Sequence, residues 1–129
     1  MAIVVSRSES GMSLTTSFQA LDNLGGASVS SSFTVPQGVG AIKAISISMS
    51  NDANEETIGL CKVSGNAMRD GDAVFTAAAM VVGATATGNT SNNIQYDTDL
   101  GVVSGNSVEL SLAGTQAATV DAAVTVTFA

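Results

Sequence analysis

The sequence has no histidine, no tryptophan, one proline and one cysteine among its 129 residues. Without histidine, neither Ser-His-Asp nor Cys-His catalysis can be built, and most zinc and non-haem iron sites lose their usual ligand. The single cysteine, Cys61, cannot close a disulfide within the chain. Only Lys62 adjoins it as an activator, so we expect a small buried hydrophobe rather than a reactive thiol. Stability must then come from packing or assembly.

Serine-based catalysis that works without histidine is also missing from the pattern. The segment Gly101–Gly105, G-V-V-S-G, misplaces its serine for a nucleophile elbow. Neither lysine has a serine three positions before it, which excludes the S-x-x-K arrangement. A pair of carboxylates could hydrolyse a glycoside, but sugar sites favour aromatic platforms, and aromatic residues make up only 4% of the chain. We therefore predict a protein that is not an enzyme and that uses no cofactor.

Charge is scarce in this sequence and mostly negative. Charged residues make up 12% of the chain, whereas an average domain has about 25%. The net charge is −7, and the four basic residues are scattered. Nucleic acid is bound by clustered lysine and arginine, often with aromatic platforms, so we expect no nucleic-acid partner. Low charge combined with abundant Ser, Thr, Ala, Gly and Asn is typical of a protein that is surrounded by other protein or that works outside the cell.

The N-terminal stretch M-A-I-V-V-S-R-S-E-S has no basic region before its short apolar run, so we do not interpret it as a signal peptide. No apolar run approaches the ~20 residues of a membrane span, so we expect no membrane insertion. This combination fits a particle that is assembled in a host cytoplasm and released by lysis. The alternative is an extracellular or cell-surface protein whose signal has been removed.

The most regular stretch is the last one, from Thr119 to Ala129. Its residues alternate between an apolar set and a set of Thr, Asp and Ala, with the period of two that is typical of a strand. The β-branched residues Val and Thr suit a pleated sheet. We predict a long strand inside a sheet, with one side buried. The apolar set is Val120, Ala122, Val124, Val126 and Phe128.

Similar alternation predicts further strands along the chain. They cover Met12 to Phe18, Val29 to Val35, Ile42 to Met49, Thr57 to Val63, Ile94 to Tyr96 and Val108 to Leu112. The stretch Asp72–Val82 has the alanine content and N-cap residue of a helix but the Val and Phe content of a strand. We interpret it as a strand because its neighbours are β. Ser50–Glu56 and Gly83–Asn93 have the composition of loops.

This pattern predicts an all-β chain of about eight strands, folded as an antiparallel β-sandwich and most specifically as a single jelly roll. No linker divides the chain, so we expect one domain over residues 1–129, in which residues 1–10 form an N-terminal arm or an edge strand. The predicted core consists of Leu14, Phe18, Phe33, Val35, Ile45, Ile47, Leu60, Phe75, Leu110, Leu112, Val124, Val126 and Phe128.

The remaining candidates for a binding site are carboxylates in three short clusters. Asp52, Asn54 and Glu56 alternate like the first ligands of a calcium loop, but Thr57 stands where the turn glycine belongs and Val63 where the final glutamate belongs. The other clusters are Asp70 with Asp72 and Asp97 with Asp99. Solvated turns are the default interpretation, with loop calcium as the alternative, so we predict no metal.

The stretch Ser32–Asn51, S-F-T-V-P-Q-G-V-G-A-I-K-A-I-S-I-S-M-S-N, resembles small β-sandwich virion proteins, the single jelly-roll capsid or decoration subunits of phages and archaeal viruses. The shared features are a strand ending in Val-Pro, a glycine turn and an Ile-rich strand. G-D-A-V-F-T-A at Gly71–Ala77 and the closing strand add to the likeness. Fimbrial subunits and bacterial surface domains share this style. The resemblance implies a structural role in which many copies join edge to edge or around a symmetry axis.

We therefore expect a shell or decoration subunit of a virion, which self-assembles with copies of itself and with other capsid proteins. The acidic segments Asp52–Glu56 and Asp97–Asp99 are then loops in solvent. The alternatives are a carbohydrate- or ligand-binding module, and a fimbrial or surface-filament subunit that exposes a donor strand at Ile3–Val5. Small residues would let subunits approach closely, and we expect this of Ala41, Ala44, Ala77, Ala78, Ala79, Ala122 and Ala123.

Overall fold

The computed structural model describes residues 2–51, 57–80 and 91–129, which form strands and turns and no helix. The strands are β1 Ile3–Leu14, β2 Gln19–Ala20, β3 Asn23–Leu24, β4 Ala27–Ser28, β5 Ser32–Thr34, β6 Ala41–Asn51, β7 Thr57–Ser64, β8 Ala73–Met80, β9 Ser91–Gly101, β10 Ser107–Gly114 and β11 Ala118–Phe128. Their pairings are antiparallel, which confirms the prediction of an all-β chain with antiparallel sheets. Within the described ranges no helix is long and apolar enough to cross a membrane.

Two sheets enclose one hydrophobic core. The first sheet has the strand order β1-β11-β6-β9. The second has the order β2-β10-β7-β8. β5 also pairs with β10, so β2 and β5 lie end to end on the same side of β10. A small β3–β4 hairpin connects β2 to β5. Each sheet therefore combines strands from early and late parts of the chain.

The core lies between the inward sides of the two sheets. Every residue of β11 that was predicted to face inward is buried, and Phe128 is completely so. Its ring meets Phe33 of the second sheet edge to face, with the ring centroids 6.2 Å apart. Such a pair adds about 0.5–1.5 kcal/mol to the stabilisation that burial provides. The other predicted core residues that are buried are Leu14, Val35, Ile45, Ile47, Leu110, Leu112, Val124 and Val126.

A bulge in β1 changes which residues of that strand face the core. Between Glu9 and Met12 the pairing with β11 shifts by one residue. Gly11 has a φ of 63°, and its N–H donates to Asp121 Oδ1 at 2.7 Å, so the extra residue is held in the left-handed conformation that glycine adopts freely. Because side chains alternate, the odd-numbered residues face inward before the bulge and the even-numbered ones after it.

A second bulge, in β6, explains why two isoleucines three positions apart are both buried. Thr127 and Phe128 of β11 pair with Ala44 and Ile42, so Lys43 is the extra residue of β6, and it is exposed. Ile42 and Ile45 are consequently both fully buried. Strict alternation along the sequence places only Ile45 in the core, which is why Ile42 was not predicted there.

Several predicted core positions and strand limits are wrong. Leu60 points outward and is half-buried, because β7 turns its other parity inward; the inward residues are Thr57, Gly59, Cys61 and Val63. Phe18 is half-buried on the outward side of the second sheet, whereas Phe33 and Phe75 are half-buried but pack against the core as predicted. The strand predicted to reach Phe18 ends at Leu14, because the chain leaves the first sheet there.

The remaining strand limits differ mainly in length. The strand predicted from Val29 is only β5, and β9 is far longer than the predicted Ile94–Tyr96. Asp97–Asp99 therefore belong to a strand and not to a loop, as do Ser50 and Asn51 at the end of β6. The interpretation of Asp72–Val82 as a strand agrees with β8. Residues 52–56 and 81–90 of the predicted loops and strand lie outside the described residues.

The sequence V-S-G-N occurs twice, at Val63–Asn66 and Val103–Asn106, and the two copies form neighbouring turns at one end of the molecule. Asn66 Oδ1 in the first accepts a hydrogen bond from the N–H of Ser107, directly after the second, at 2.8 Å, and the N–H of Val103 donates to the carbonyl of Ala67 at 2.9 Å. Gly65 has a φ of 126°, and a Cβ there would lie 2.3 Å from the carbonyl oxygen of Ser107. The close approach of the two turns therefore requires glycine.

Candidate interaction surfaces

The carboxylates singled out as calcium candidates do not converge in the described part of the chain. Asp70 and Asp72 flank a turn before β8, whereas Asp97 and Asp99 alternate along β9, and Asp99 forms an ion pair with Lys43. Among residues 2–51, 57–80 and 91–129, no three Asp, Glu, Cys or His side chains are grouped as metal ligands would be. The third candidate set, Asp52, Asn54 and Glu56, lies outside the described residues.

Cys61 lies on the inward side of β7 and is completely buried. Burial raises the pKa of its thiol to about 12, because the thiolate would be removed from water. The thiol therefore stays protonated and inaccessible near neutral pH, which confirms the interpretation of Cys61 as a small buried hydrophobe.

The outward side of the first sheet carries small polar side chains. They come from alternate positions of β6, β9 and β11 that point away from the core. The hydroxyls of Ser6 and Thr125 are hydrogen-bonded at 2.9 Å, which extends this surface onto β1. We call it the polar face, and its residues are Ser46, Ser48, Ser50, Asn93, Gln95, Asp121, Ala123 and Thr125.

Two shallow depressions adjoin each other on the polar face. The larger has a volume of about 250 Å³ and is lined by hydroxyl and amide side chains together with Ile47, Ile94 and Ala123. The smaller, of about 210 Å³, shares Ser48 and Ala123 with it, adds the Asp121 carboxylate and is bordered by Glu9 at the bulge of β1. Their lining offers hydrogen-bond donors and acceptors over a floor of small residues.

The outward side of the second sheet is more apolar. Ile58 is 46% exposed and Val74 is 53% exposed, and Leu60 and Phe18 are half-buried on the same side. We call the surface formed by these four residues the apolar face. Monomeric proteins seldom leave several large apolar side chains exposed together unless a contact covers them, so this surface is a candidate for subunit association.

Part of the second sheet's outward side is covered by its own side chains. Ala113 pairs with Leu60 and Ser111 with Lys62, so both point outward, yet they are only 2% and 3% exposed. The Phe18 ring lies 4.8 Å from Lys62 Nζ in a cation–π contact above them. The stem of Lys62 and the ring of Phe18 thus act as a small outer packing layer.

One lateral side of the molecule, where β8 and β9 meet, is closed by Tyr96. Its hydroxyl donates to the carbonyl oxygen of Thr76 on β8 at 2.8 Å. Its ring also packs against Phe75, with the ring centroids 5.1 Å apart. A strand at the edge of a sheet offers unpaired backbone groups to other chains, and this hydroxyl occupies one of them.

The opposite lateral side is formed by β1 and is partly closed by Arg7. This side chain points inward and is only 7% exposed. Its Nη1 donates to the carbonyl of Ser6 at 2.8 Å, its Nη2 donates to the carbonyl of Ser30 at 3.0 Å, and its guanidinium carbon lies 5.1 Å from the ring centroid of Phe33. An inward-pointing charge on an edge strand is one of the devices that limit edge-to-edge association of sheets.

The β3–β4 hairpin covers the same part of the β1 edge. The N–H of Gly25 donates to Ser8 Oγ at 2.9 Å, and the N–H of Asp22 donates to Glu9 Oε1 at 3.2 Å. Burial raises the pKa of the Glu9 carboxyl, although the bond from the Asp22 N–H opposes the rise. Closer to the start of the strand, Val4 is 58% exposed, so the cover does not extend to it.

The alanines predicted to line subunit contacts are divided between the core and the surface. Ala41, Ala77 and Ala122 are buried, so the prediction is wrong for them. Ala77 and Ala122 lie on the inward parity of their strands, and Ala41 is covered at the start of β6. Ala44 is half-buried and Ala123 is exposed, and both point outward from the first sheet. The side chains of Ala78 and Ala79 lie outside the described part of the structure.

Sequence reasoning missed both side chains that close the lateral sides. The sequence signal for Arg7 was a single charged residue on the inward parity of I-V-V-S-R. Its edge-protecting role could be predicted only if the strand was already known to lie at a sheet edge. Tyr96 carried no comparable signal, since its role depends on which strands are neighbours. Compared with protein-family models and with curated proteins, the chain matched none.

Proposed function

We propose that the chain is a single jelly roll. When β2 and β5 are counted as one interrupted strand and the β3–β4 hairpin as an insertion, eight strands remain. Numbered along the chain, the first sheet then has the order 1-8-3-6 and the second 2-7-4-5. The hydrogen-bonded neighbours include 1 with 8, 2 with 7, 3 with 6 and 4 with 5, the pairing of one long antiparallel ribbon wound into two sheets. This order supports the double Greek key of a jelly roll.

We further propose that the protein is a structural subunit of a virion, either a shell or a decoration protein, and not an enzyme. The jelly-roll strand order carries this proposal, because the architecture is typical of viral capsid subunits as well as of lectins and cupins. The resemblance of Ser32–Asn51 to small virion proteins points in the same direction. The subunit would be assembled in a host cytoplasm and would contact copies of itself and other capsid proteins.

The apolar face supports a role that depends on subunit contacts. It exposes Ile58 and Val74 on neighbouring strands, and burying such side chains stabilises association by about 25 cal/mol per Å² of apolar surface. Repeated use of one such surface around a symmetry axis yields a closed assembly. The acidic side chains Asp97 and Asp99 are exposed on the other sheet, where they would keep finished particles apart.

A carbohydrate-binding module is the second candidate, and the two depressions of the polar face favour it. Their hydroxyl, amide and carboxylate side chains could bind the hydroxyls of a sugar. The third candidate, a fimbrial subunit with a donor strand at Ile3–Val5, fits less well. Ile3 and Val5 pair with Phe128 and Val126 of the same chain, so this segment already has a partner within its own sheet.

Sedimentation of the purified protein at micromolar concentration tests the proposal. We expect oligomers that persist in high salt, because salt screens charges and the apolar face has few. We also expect that a chelator does not dissociate them. The variant Ile58→Ser with Val74→Ser should weaken these oligomers, whereas the control Ser46→Thr with Ser48→Thr on the polar face should not. A monomer in every condition that binds a glycan array would instead favour the carbohydrate-binding module.

A further inference from the structure

We propose that the uncovered part of the β1 edge, residues 3–5, pairs in antiparallel fashion with the same segment of a second copy of this chain. We call this segment the open edge. The inference deepens the proposed structural role, and it rests on that role only in requiring that the chain associates with itself.

The direction of the backbone groups follows from the bonds of Arg7. Its guanidinium joins the carbonyl of Ser6 to the carbonyl of Ser30, which lies beyond the edge of the sheet. The carbonyl of Ser6 therefore points away from β11. Because the backbone groups of successive residues in a strand point to opposite sides, the N–H and C=O of Val4 also point away from β11. In the described part of the chain no hydrogen bond outside the strand ladder reaches these two groups.

The length of the open edge is limited by the cover on the rest of the strand. Arg7 occupies the Ser6 carbonyl, and the β3–β4 hairpin holds Ser8 and Glu9 through the bonds from Gly25 and Asp22. A partner strand therefore cannot continue along β1 past Ser6. The geometry admits a short pairing of a few residues and prevents the longer pairing that leads to open-ended sheet growth.

The chemistry of the open edge fits a second copy of the same segment. Ile3, Val4 and Val5 are β-branched and uncharged, and Val4 is 58% exposed. An antiparallel pair about a two-fold axis at Val4 brings the two Val4 residues opposite each other, and Ile3 of each copy opposite Val5 of the other. No like charges meet, and each Val4 donates to and accepts from its counterpart. A two-fold contact of this kind is self-complementary, as closed dimers require.

The consequence for the subunit is a continuous sheet across the axis. The first sheets of the two copies would join through β1, with the polar faces on the same side of the combined sheet. The apolar face belongs to the other sheet and remains free for a different contact. Two distinct contacts on one subunit allow growth from a dimer to a larger closed assembly.

A proline at position 4 tests the pairing directly. The Val4 N–H points away from β11, so Val4→Pro removes a donor of the open edge without removing one from the β1–β11 ladder, and proline is tolerated at such edge positions. The matched control is Val4→Thr, which keeps the N–H and the branched shape. In sedimentation equilibrium we expect Val4→Pro to weaken association at least about tenfold and Val4→Thr to change it by less than about threefold.

Cysteine cross-linking gives a second measurement that does not depend on the fold tolerating proline. In Val4→Cys the two new thiols face each other across the axis, within the Cα separation of about 4.4–6.8 Å that a disulfide spans. The native Cys61 is fully buried and does not compete. Ser10→Cys, at an exposed position of the same strand beyond the covered part, is the control. We expect disulfide-linked dimers from Val4→Cys under mild oxidation and none from Ser10→Cys.

The outcomes separate the failure of this inference from the failure of the proposed role. Oligomers that persist in Val4→Pro, together with equal or no cross-linking at positions 4 and 10, would overturn the open-edge contact and leave the structural role intact. A wild-type protein that stays monomeric at every concentration would overturn both. Circular dichroism of each variant checks that the β fold is retained, and if Val4→Pro unfolds, the cross-linking result alone decides.

Discussion

The outward sides of the two sheets differ in what covers their central strands. Ala123 on β11 and Ala113 on β10 both point away from the core, but Ala123 is exposed whereas Ala113 is only 2% exposed. On the first sheet, small side chains such as Ala123 form the outermost layer and are in contact with solvent. On the second, Phe18 and the stem of Lys62 lie over the strand beneath them. One side is thus a bare polar surface, and the other has the beginnings of a third packing layer.

This difference suits the proposed structural role, which requires one hydrated surface and one that associates. A surface of Ser, Thr and Ala is hydrated and gains little free energy from burial. A surface with Ile58 and Val74 exposed gains free energy when a neighbour covers it. The variants below probe how far the two sides differ, starting with the core that both sheets share.

The largest effect is expected in that core, at Phe128. The ring is fully buried and packs edge to face on Phe33 of the opposite sheet. Phe128→Ala should lower the free energy of unfolding by about 3–5 kcal/mol, since it removes a large buried side chain and leaves a cavity. Chemical denaturation followed by circular dichroism measures the change. A loss below ~1 kcal/mol would mean that β11 is peripheral to the fold.

The two outward alanines provide a matched pair for the comparison itself. Ala113→Asp should lower the free energy of unfolding by about 2–4 kcal/mol, because the carboxylate would be placed beneath Phe18 and Leu60 with its hydration lost. Ala123→Asp should change it by about 0.5 kcal/mol or less, because that position faces water. Urea titration of both variants checks this. Equal effects would show that the cover over β10 is not a packing layer.

The buried thiol of Cys61 provides a test of how well the inward side of β7 excludes water. The pKa of the Cys61 thiol is raised to about 12 in the folded protein, whereas it is near 9 in the unfolded chain. This contribution to stability is therefore complete below pH 9 and is lost as the pH rises from 9 to 12, by about 1.4 kcal/mol at pH 10. Denaturation at several alkaline pH values measures the slope.

The control for that experiment is Cys61→Ala. This variant is less stable at neutral pH because it loses a buried group, but its stability should fall less steeply between pH 9 and 11 than that of the wild type. A thiol reagent added to the native wild type should react only as fast as the protein unfolds. Rapid labelling at neutral pH would contradict the burial of Cys61.

The smallest effect is expected from the ion pair at the border of the polar face. Lys43 and Asp99 are both exposed, with 49% and 78% of their side chains accessible to solvent. Lys43→Met should change the free energy of unfolding by less than about 0.5 kcal/mol, and by less still in 0.5 M salt. A change above ~1 kcal/mol in thermal or urea denaturation would show that charge contributes to this side of the molecule after all.

The fold class could be predicted because the sequence alternates strongly where both neighbours of a strand are present. β11 has one apolar and one polar parity, and its buried residues follow that alternation. In β10 the apolar parity is buried as well, although the outward residues Ser111 and Ala113 are also covered. In β7 the two parities are nearly balanced: Leu60 is apolar on one side and Cys61 on the other. Only packing selects Cys61 as the inward residue, so hydropathy alone misassigned Leu60.

The bulges and the surfaces could not be predicted because they depend on register. Lys43 interrupts the alternation of β6 although nothing local distinguishes it from an ordinary strand residue. Gly11 suits a bulge, but it precedes the stretch from Met12 in which alternation predicted a strand. The open edge and the apolar face require knowledge of which strand is last in each sheet. The residue types at these sites can be read from the sequence, but their location on the sheet depends on which distant strands pair and in which register.

The pairing of β1 with β11 also has a consequence during synthesis. Ser6 and Thr125 are neighbours in the folded sheet but are 119 residues apart in the chain. At about 5–20 residues per second, a ribosome needs about 5–20 s after finishing β1 to deliver the strand that completes the first sheet. Throughout that interval the nascent chain has unpaired apolar strands, and a stalled or truncated product cannot bury them. We therefore expect refolding in vitro on the millisecond-to-second scale, because the first sheet is completed only by contacts between distant parts of the chain.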